Sequence, residues 1–161
     1  HMLKMLKLNN ISAIGIDTKT EKFNTCNENG AEFSVSPMEN NLKNKIADYS
    51  KSHDLDVVID FVSSKSSLEL GCSILGKGGR LVTLGGSGEQ FLANSADMLV
   101  KELELIGSRY CTKQELKESL DLYARGLIKP LVSVKTDFDG AEGLHDKIEK
   151  GEIIGRAGIL I

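Results

Sequence analysis

Asp17 follows the apolar run Ile11-Ser12-Ala13-Ile14-Gly15-Ile16 and precedes Thr18-Lys19-Thr20-Glu21, where a helical pattern begins. A carboxylate at the end of a strand, just before a helix, can accept hydrogen bonds from vicinal ribose hydroxyls. It also repels a phosphate placed on the 2′ oxygen. By that chemistry Asp17 is a candidate ribose ligand, selective for an unphosphorylated ribose. Position alone leaves a second reading open, an ordinary turn residue. The glycine-rich phosphate loop that accompanies such an acid should lie about twenty residues earlier. Counting back from Asp17 runs past His1. Neither Gly76-Lys77-Gly78-Gly79 nor Gly85-Gly86-Ser87-Gly88 has the G-x-G-x-x-G spacing.

Other chemistries find less support. Cys26, Cys72 and Cys111 are scattered and form no C-x-x-C pair, and His53 and His145 are isolated. The cysteines read as small hydrophobes in a reducing cytoplasm, and no metal site is expected within the chain. No Ser/His/Asp set and no pair of carboxylates at catalytic spacing is apparent. The net charge of −3 argues against nucleic acid as a partner, and no stretch gathers enough Lys or Arg to reverse that. No apolar run approaches the roughly 20 residues of a membrane span, and no signal peptide is visible. His1-Met2 reads as a cloning remnant.

The elements that must carry these residues centre on Asp56–Gly88. Val57-Val58-Ile59, then Phe61-Val62, is a short β-branched run broken only by Asp60. It predicts a strand buried on both faces, as in a parallel sheet. Ser66-Ser67-Leu68-Glu69 reads as a capping box, with Leu68, Cys72 and Leu75 at helical spacing behind it. Gly76, Gly78 and Gly79 end that helix, and Leu81–Leu84 is a second buried strand. Strand, helix, strand in this space is a βαβ unit, which places ligands at the strand ends Val62-Ser63-Ser64 and Gly85-Gly86.

Around this centre the pattern alternates. Leu3–Leu8 reads as the tail of a helix and Ile11–Ile16 as a strand. Thr18–Glu21 is a capping box opening a helix with Phe23 and Cys26 inward, stopped at Gly30. Phe33–Val35 is a short strand, and Ser36-Pro37-Met38-Glu39 starts a helix with the stripe Leu42, Ile46, Tyr49. Further on come a helix within Phe91–Val100, a strand Leu103–Gly107 with one exposed side, and a Thr112–Glu115 capping box. The helix behind that box should bury Leu116, Leu120 and Tyr123. A strand Leu131–Val134, a helix carrying Ala141, Leu144 and Ile148, and a strand Ala157–Ile161 complete the alternation. The sum predicts an α/β fold with a doubly wound sheet.

This order resembles the coenzyme-binding, C-terminal half of the zinc-type medium-chain alcohol dehydrogenase family. The residues that carry the resemblance are Asp17–Lys22, Asn29-Gly30-Ala31, Asp56–Asp60, Gly78–Val82, Leu84-Gly85, Glu102–Ser108 and Gly155–Gly158. It implies a Rossmann-like doubly wound parallel sheet lacking its first strand and glycine-rich loop. Residues 3–108 would form a truncated dinucleotide-binding domain, and 109–161 a helix and strand segment packing on it. The resemblance also assigns roles. Asp17 would bind the adenosine ribose and Lys22 would support it. Val62 and Ser63 would lie under the riboses. The backbone of Leu84, Gly85 and Gly86 would meet the nicotinamide carboxamide, with Ile106 and Gly107 as a second contact to the ring. Arg156 would stand near the pyrophosphate. NAD is the implied cofactor, preferred to NADP because of Asp17, with zinc only in the other, absent half.

The implied function is the NAD-binding portion of an alcohol dehydrogenase-like oxidoreductase, not catalytic as an isolated chain. A self-associating α/β module or subunit without cofactor is the alternative. In the strand order 3-2-1-4-5-6 the absent first strand is central. Its removal would strip hydrogen-bond partners from Ile11–Ile16 and Val57–Phe61, at about 1–3 kcal/mol per buried unpaired group. Repair is expected by direct pairing of those strands, by strand exchange with another copy, or by a separate N-terminal chain. A homo-oligomer through the edge strand 103–107 is expected as well.

Overall fold

A computed structural model of the chain describes residues 1–50 and 55–161; His53 lies outside the described residues. Contacts group the chain into two units. One contains residues 1–39 and 113–161, the other residues 40–112.

The 40–112 unit contains α3 (Leu42–Ser50), β3 (Leu55–Asp60), α4 (Lys65–Ile74), β4 (Leu75–Thr83), α5 (Ser95–Lys101) and β5 (Glu104–Gly107). The 1–39 and 113–161 unit contributes α1 (Met2–Leu8), β1 (Gly15–Ile16), α2 (Phe23–Glu28) and β2 (Ser34–Val35). It also holds α6 (Lys113–Ala124), β6 (Val132–Thr136), α7 (Ala141–Glu149) and β7 (Arg156–Ile159).

In the 40–112 unit the strands are parallel, in the order β3-β4-β5. Their register aligns Asp60 with Thr83 and Thr83 with Gly107, so all three carboxyl ends meet at one rim. The core beneath is Leu68, Leu75 and Leu81, with Leu55, Val58, Cys72, Phe91 and Leu103 packed against it. Burial of one such leucine is worth about 2 kcal/mol. The glycines after α4 do turn the chain, but within β4. Leu55 pairs with Leu75 and Val57 with Arg80, so five residues of β4 run against two of β3. Gly78 adopts φ +72° inside that bulge.

Several expectations are corrected here. β3 ends at Asp60; Phe61 and Val62 lie beyond it, exposed. It is not buried on both faces, since Val57 is exposed. Paired with β4 alone among the described residues, it sits at a sheet margin rather than inside. The capping box of α4 is Ser64 with Ser67, not Ser66 with Glu69. Ser64 is the residue with extended backbone, so the helix starts earlier; Glu69 instead accepts the Leu92 N–H. α3 begins at Leu42, because Ser36–Glu39 closes a local turn through its own backbone bond. Its apolar stripe does face inward at Leu42 and Ile46. β5 is exposed along its whole length, not on one side only.

In the other unit β1 pairs in parallel with β2, and β6 with β7. β1 is shorter than Ile11–Ile16. Thr20–Lys22 is a 3₁₀ turn whose N-terminal residue, Lys19, makes no side-chain cap, so the Thr18–Glu21 capping box does not form. Leu116, Leu120 and Tyr123 share one face of α6 but are exposed, because none of the described residues buries that face. On α7 Leu144 is buried, whereas Ile148 is exposed.

Among the described residues the strands form three separate parallel sets, β1-β2, β3-β4-β5 and β6-β7. Among the described residues no direct pairing joins β1 to β3.

Candidate functional site

The rim of β3-β4-β5 gathers seven of the ten expected site residues: Val62, Ser63, Leu84, Gly85, Gly86, Ile106 and Gly107. They meet because parallel strands end together, and specific bonds fix the join. The Leu84 N–H donates to the Asp60 carbonyl at 2.8 Å, and the Ser108 N–H to that of Thr83 at 2.9 Å. Ser63 is 6% exposed and holds φ +57°. Its hydroxyl meets that of Thr83, and its carbonyl accepts the Ser87 hydroxyl. Gly85 lies so close that an added Cβ would stand 2.6 Å from the Val62 carbonyl oxygen and 2.7 Å from the Ser63 hydroxyl oxygen. At Gly86 and Gly107 a Cβ would meet nothing within 4 Å. Two adjacent strand ends therefore offer bare backbone to open space. Leu84 and Ile106, each partly exposed, flank it with apolar surface.

Asp17 and Lys22 come together in the other unit. The Asp17 Oδ2 lies 3.3 Å from Lys22 Nζ, and both side chains are about one-third exposed (31% and 32%). Asp17 Oδ1 accepts the Lys19 N–H at 2.9 Å, which orients the carboxylate at the turn after β1. Lys19 reaches the other way, its ammonium donating to the carbonyls of Lys150 and Gly151 at the end of α7. Such a cation complements the negative end of a helix. Arg156 opens β7 and is exposed, its N–H bonded to the Leu131 carbonyl.

Two residues escaped the sequence reading. Asp60 looked like an interruption of an apolar run, yet it is 6% exposed and central to the rim. Its signal was a charged residue at the end of a buried strand, followed by serines. Lys19 left no signal, because its partners lie more than 130 residues away.

Among the described residues no group of three or more His, Cys, Asp or Glu side chains is placed to hold a metal ion. The Cys72 thiol packs against the core; burial pushes it up, opposed by the nearby charge of Lys101.

Comparison with known proteins places this arrangement. A family model described as "Zinc-binding dehydrogenase" matches residues 1–125. The chain belongs to the zinc-binding dehydrogenase family. An NAD-dependent alcohol dehydrogenase of Sulfolobus acidocaldarius is 28% identical over 145 residues, covering 89% of this chain and 41% of that protein. Alcohol dehydrogenase 1 of Neurospora crassa is 30% identical over 153 residues, covering 91% and 42%. Among solved structures, the alcohol dehydrogenase of the archaeon Aeropyrum pernix superposes with a TM-score of 0.86. It is 26% identical and covers 96% of this chain and 44% of that one. The chain thus spans about two-fifths of the length of these relatives. It is an alcohol dehydrogenase-like, Rossmann-type portion of the zinc-binding dehydrogenase fold.

Proposed function

We propose that this chain binds a nicotinamide dinucleotide, NAD in preference to NADP, as the coenzyme-holding part of an alcohol-oxidising or aldehyde-reducing enzyme. The rim of β3-β4-β5 carries this reading, with bare backbone at Gly86 and Gly107 beside the apolar flanks Leu84 and Ile106. In it, the backbone of Leu84, Gly85 and Gly86 orients the carboxamide, Ile106 and Gly107 support the ring, and Val62 and Ser63 lie under the riboses. Asp17 accepts the hydroxyls of the adenosine ribose, and Lys22 steadies that carboxylate. A 2′-phosphate would meet the same carboxylate and be repelled. Arg156 offers charge to the pyrophosphate. When bound, the nicotinamide accepts or gives the hydride; the chain's own residues bind, orient and exclude water.

The isolated chain is proposed to be inert in turnover, since the described residues hold no metal-ligand cluster to polarise an alcohol oxygen. A homo-oligomer is proposed through β5, an exposed edge strand bonded to β4 alone among the described residues, with strand exchange or a separate N-terminal chain at β3 as the other arrangements. Three free cysteines support a cytoplasmic setting. No helix among the described residues is long and apolar enough to cross a membrane.

Calorimetric titration tests the cofactor reading. NADH should bind at least about tenfold more tightly than NADPH, a difference near 1.4 kcal/mol. Equal affinities would remove the role of Asp17. No binding of either at millimolar concentration would leave the self-associating module as the better account, with light scattering reading its mass.

A further inference from the structure

We propose that Asp60 is the positioning residue of this rim, holding the loop 61–64 in the one shape that lets Gly85 and Gly86 present their backbone. The inference rests on the cofactor reading for its purpose but not for its geometry.

Asp60 ends β3 and is 6% exposed. Its Oδ1 accepts two successive amides, Val62 N–H at 2.8 Å and Ser63 N–H at 3.0 Å. Its Oδ2 accepts the Ser67 hydroxyl at 2.7 Å, from the first turn of α4. Its backbone carbonyl accepts the Leu84 N–H at the end of β4. One residue therefore joins the end of β3, the start of α4 and the end of β4. The side-chain donors are two amides and a hydroxyl, none of them charged. A buried carboxylate with only neutral donors is a costly choice for stability alone, where an apolar residue would continue the strand.

The geometry explains the choice. Ser63 holds a left-handed backbone, φ +57°, that serine seldom adopts and that glycine adopts freely. The two amide bonds to Asp60 close the turn and keep it there. With Ser63 so fixed, its hydroxyl reaches Thr83 and its carbonyl receives the Ser87 hydroxyl. Those bonds lead directly into Gly85–Gly88. The margin is narrow, because the Val62 carbonyl oxygen already stands where a Cβ on Gly85 would be 2.6 Å away. If the loop relaxes, that carbonyl moves and the Gly85-Gly86 backbone moves with it. Asp60 touches no cofactor in this scheme; it acts through Ser63.

The test uses the 161-residue chain and the variants Asp60→Ala, Asp60→Asn and Ser67→Ala, each followed by amide exchange, ¹⁵N chemical shifts and NADH titration. In Asp60→Ala the Val62 and Ser63 amides should exchange about 100-fold faster, with shifts moving at Gly85 and Gly86. NADH affinity should fall about tenfold or more. Asp60→Asn keeps an acceptor for both amides and should stay within about threefold of the parent in affinity, a rescue that a role resting on negative charge would not give. Ser67→Ala removes one donor and should shift Gly85 and Gly86 measurably while the chain stays folded. Unchanged exchange at Val62 and Ser63, or unchanged shifts at Gly85 and Gly86, in a folded Asp60→Ala overturns the proposal. If Asp60→Ala does not fold, Ser67→Ala decides: unchanged shifts at Gly85 and Gly86 overturn the proposal. If the parent chain binds no NADH, the cofactor reading fails, while exchange and shifts still decide whether Asp60 positions the rim.

Discussion

The rim after β3, β4 and β5 and the turn after β1 are both strand ends followed by helical structure, yet they are held by opposite means. The rim is fastened by hydrogen bonds from uncharged donors that converge on the buried Asp60 side chain. The turn is fastened by the partly exposed ion pair Asp17–Lys22 and by one amide bond. Buried bonds fix geometry to within tenths of an ångström, because any lapse leaves a desolvated group unmet. An exposed ion pair sets charge and tolerates movement. The difference teaches a division of labour: shape is specified where a flat ring would be read, and charge where a ribose would be told from its phosphate.

Crowding the rim gives the largest effect. Gly85→Ala forces a Cβ to 2.6 Å from a backbone oxygen and should cost about 2 kcal/mol. Gly86→Ala, one residue on, meets nothing within 4 Å and should change stability by less than about 0.5 kcal/mol. Urea denaturation of the two variants measures both. Equal costs would mean that the rim is not closely packed and would erase the contrast.

The turn should respond the other way. Lys22→Ala and Asp17→Asn should each shift unfolding free energy by no more than about 0.5 kcal/mol, since both groups are partly in water. Asp17→Asn should nonetheless narrow the preference for NADH over NADPH to less than about threefold, read by calorimetry. A large stability loss with unchanged preference would make Asp17 a structural residue and the comparison false.

How much of this was legible depended on range. The βαβ order, the stripe Leu42 and Ile46, and the gathering of Val62, Ser63, Leu84 and Gly85 followed from local pattern and from parallel topology. Cap chemistry did not, because Ser64, Ser66 and Ser67 all stand in one serine-rich stretch and backbone angles choose among them. The faces of α6 were misread for a different reason. Periodicity shows that Leu116, Leu120 and Tyr123 share a side, but cover comes from tertiary neighbours, and the described residues leave that side exposed. Asp60 was hidden because a charge inside an apolar run looks like noise until its donors are seen.

A smaller effect sharpens the contrast at the outer strand. Arg80 and Glu104 face each other across β4 and β5, with Nε 2.6 Å from Oε2. The guanidinium holds the Glu104 carboxyl below the usual carboxylate range. The sign follows: stability from this pair is present above the ordinary glutamate pKa and is lost as pH falls through the lowered folded value. Denaturant midpoints of the parent chain and Glu104→Gln, taken from neutral to acid pH, should converge on acidification. The gap should also shrink with added salt, because the pair lies in solvent. A gap independent of pH would show that the pair contributes through shape, as the rim does, and not through charge.

The ammonium of Lys19, set on the carbonyls that close α7, joins positions 131 and 132 residues apart along the chain. On a ribosome adding about 5–20 residues each second, the C-terminal partner follows Lys19 by roughly 7–26 s. Through that interval the β3-β4-β5 unit, residues 40–112, can assemble. Lys19 leaves the ribosome before that unit and gains its carbonyl partners after it.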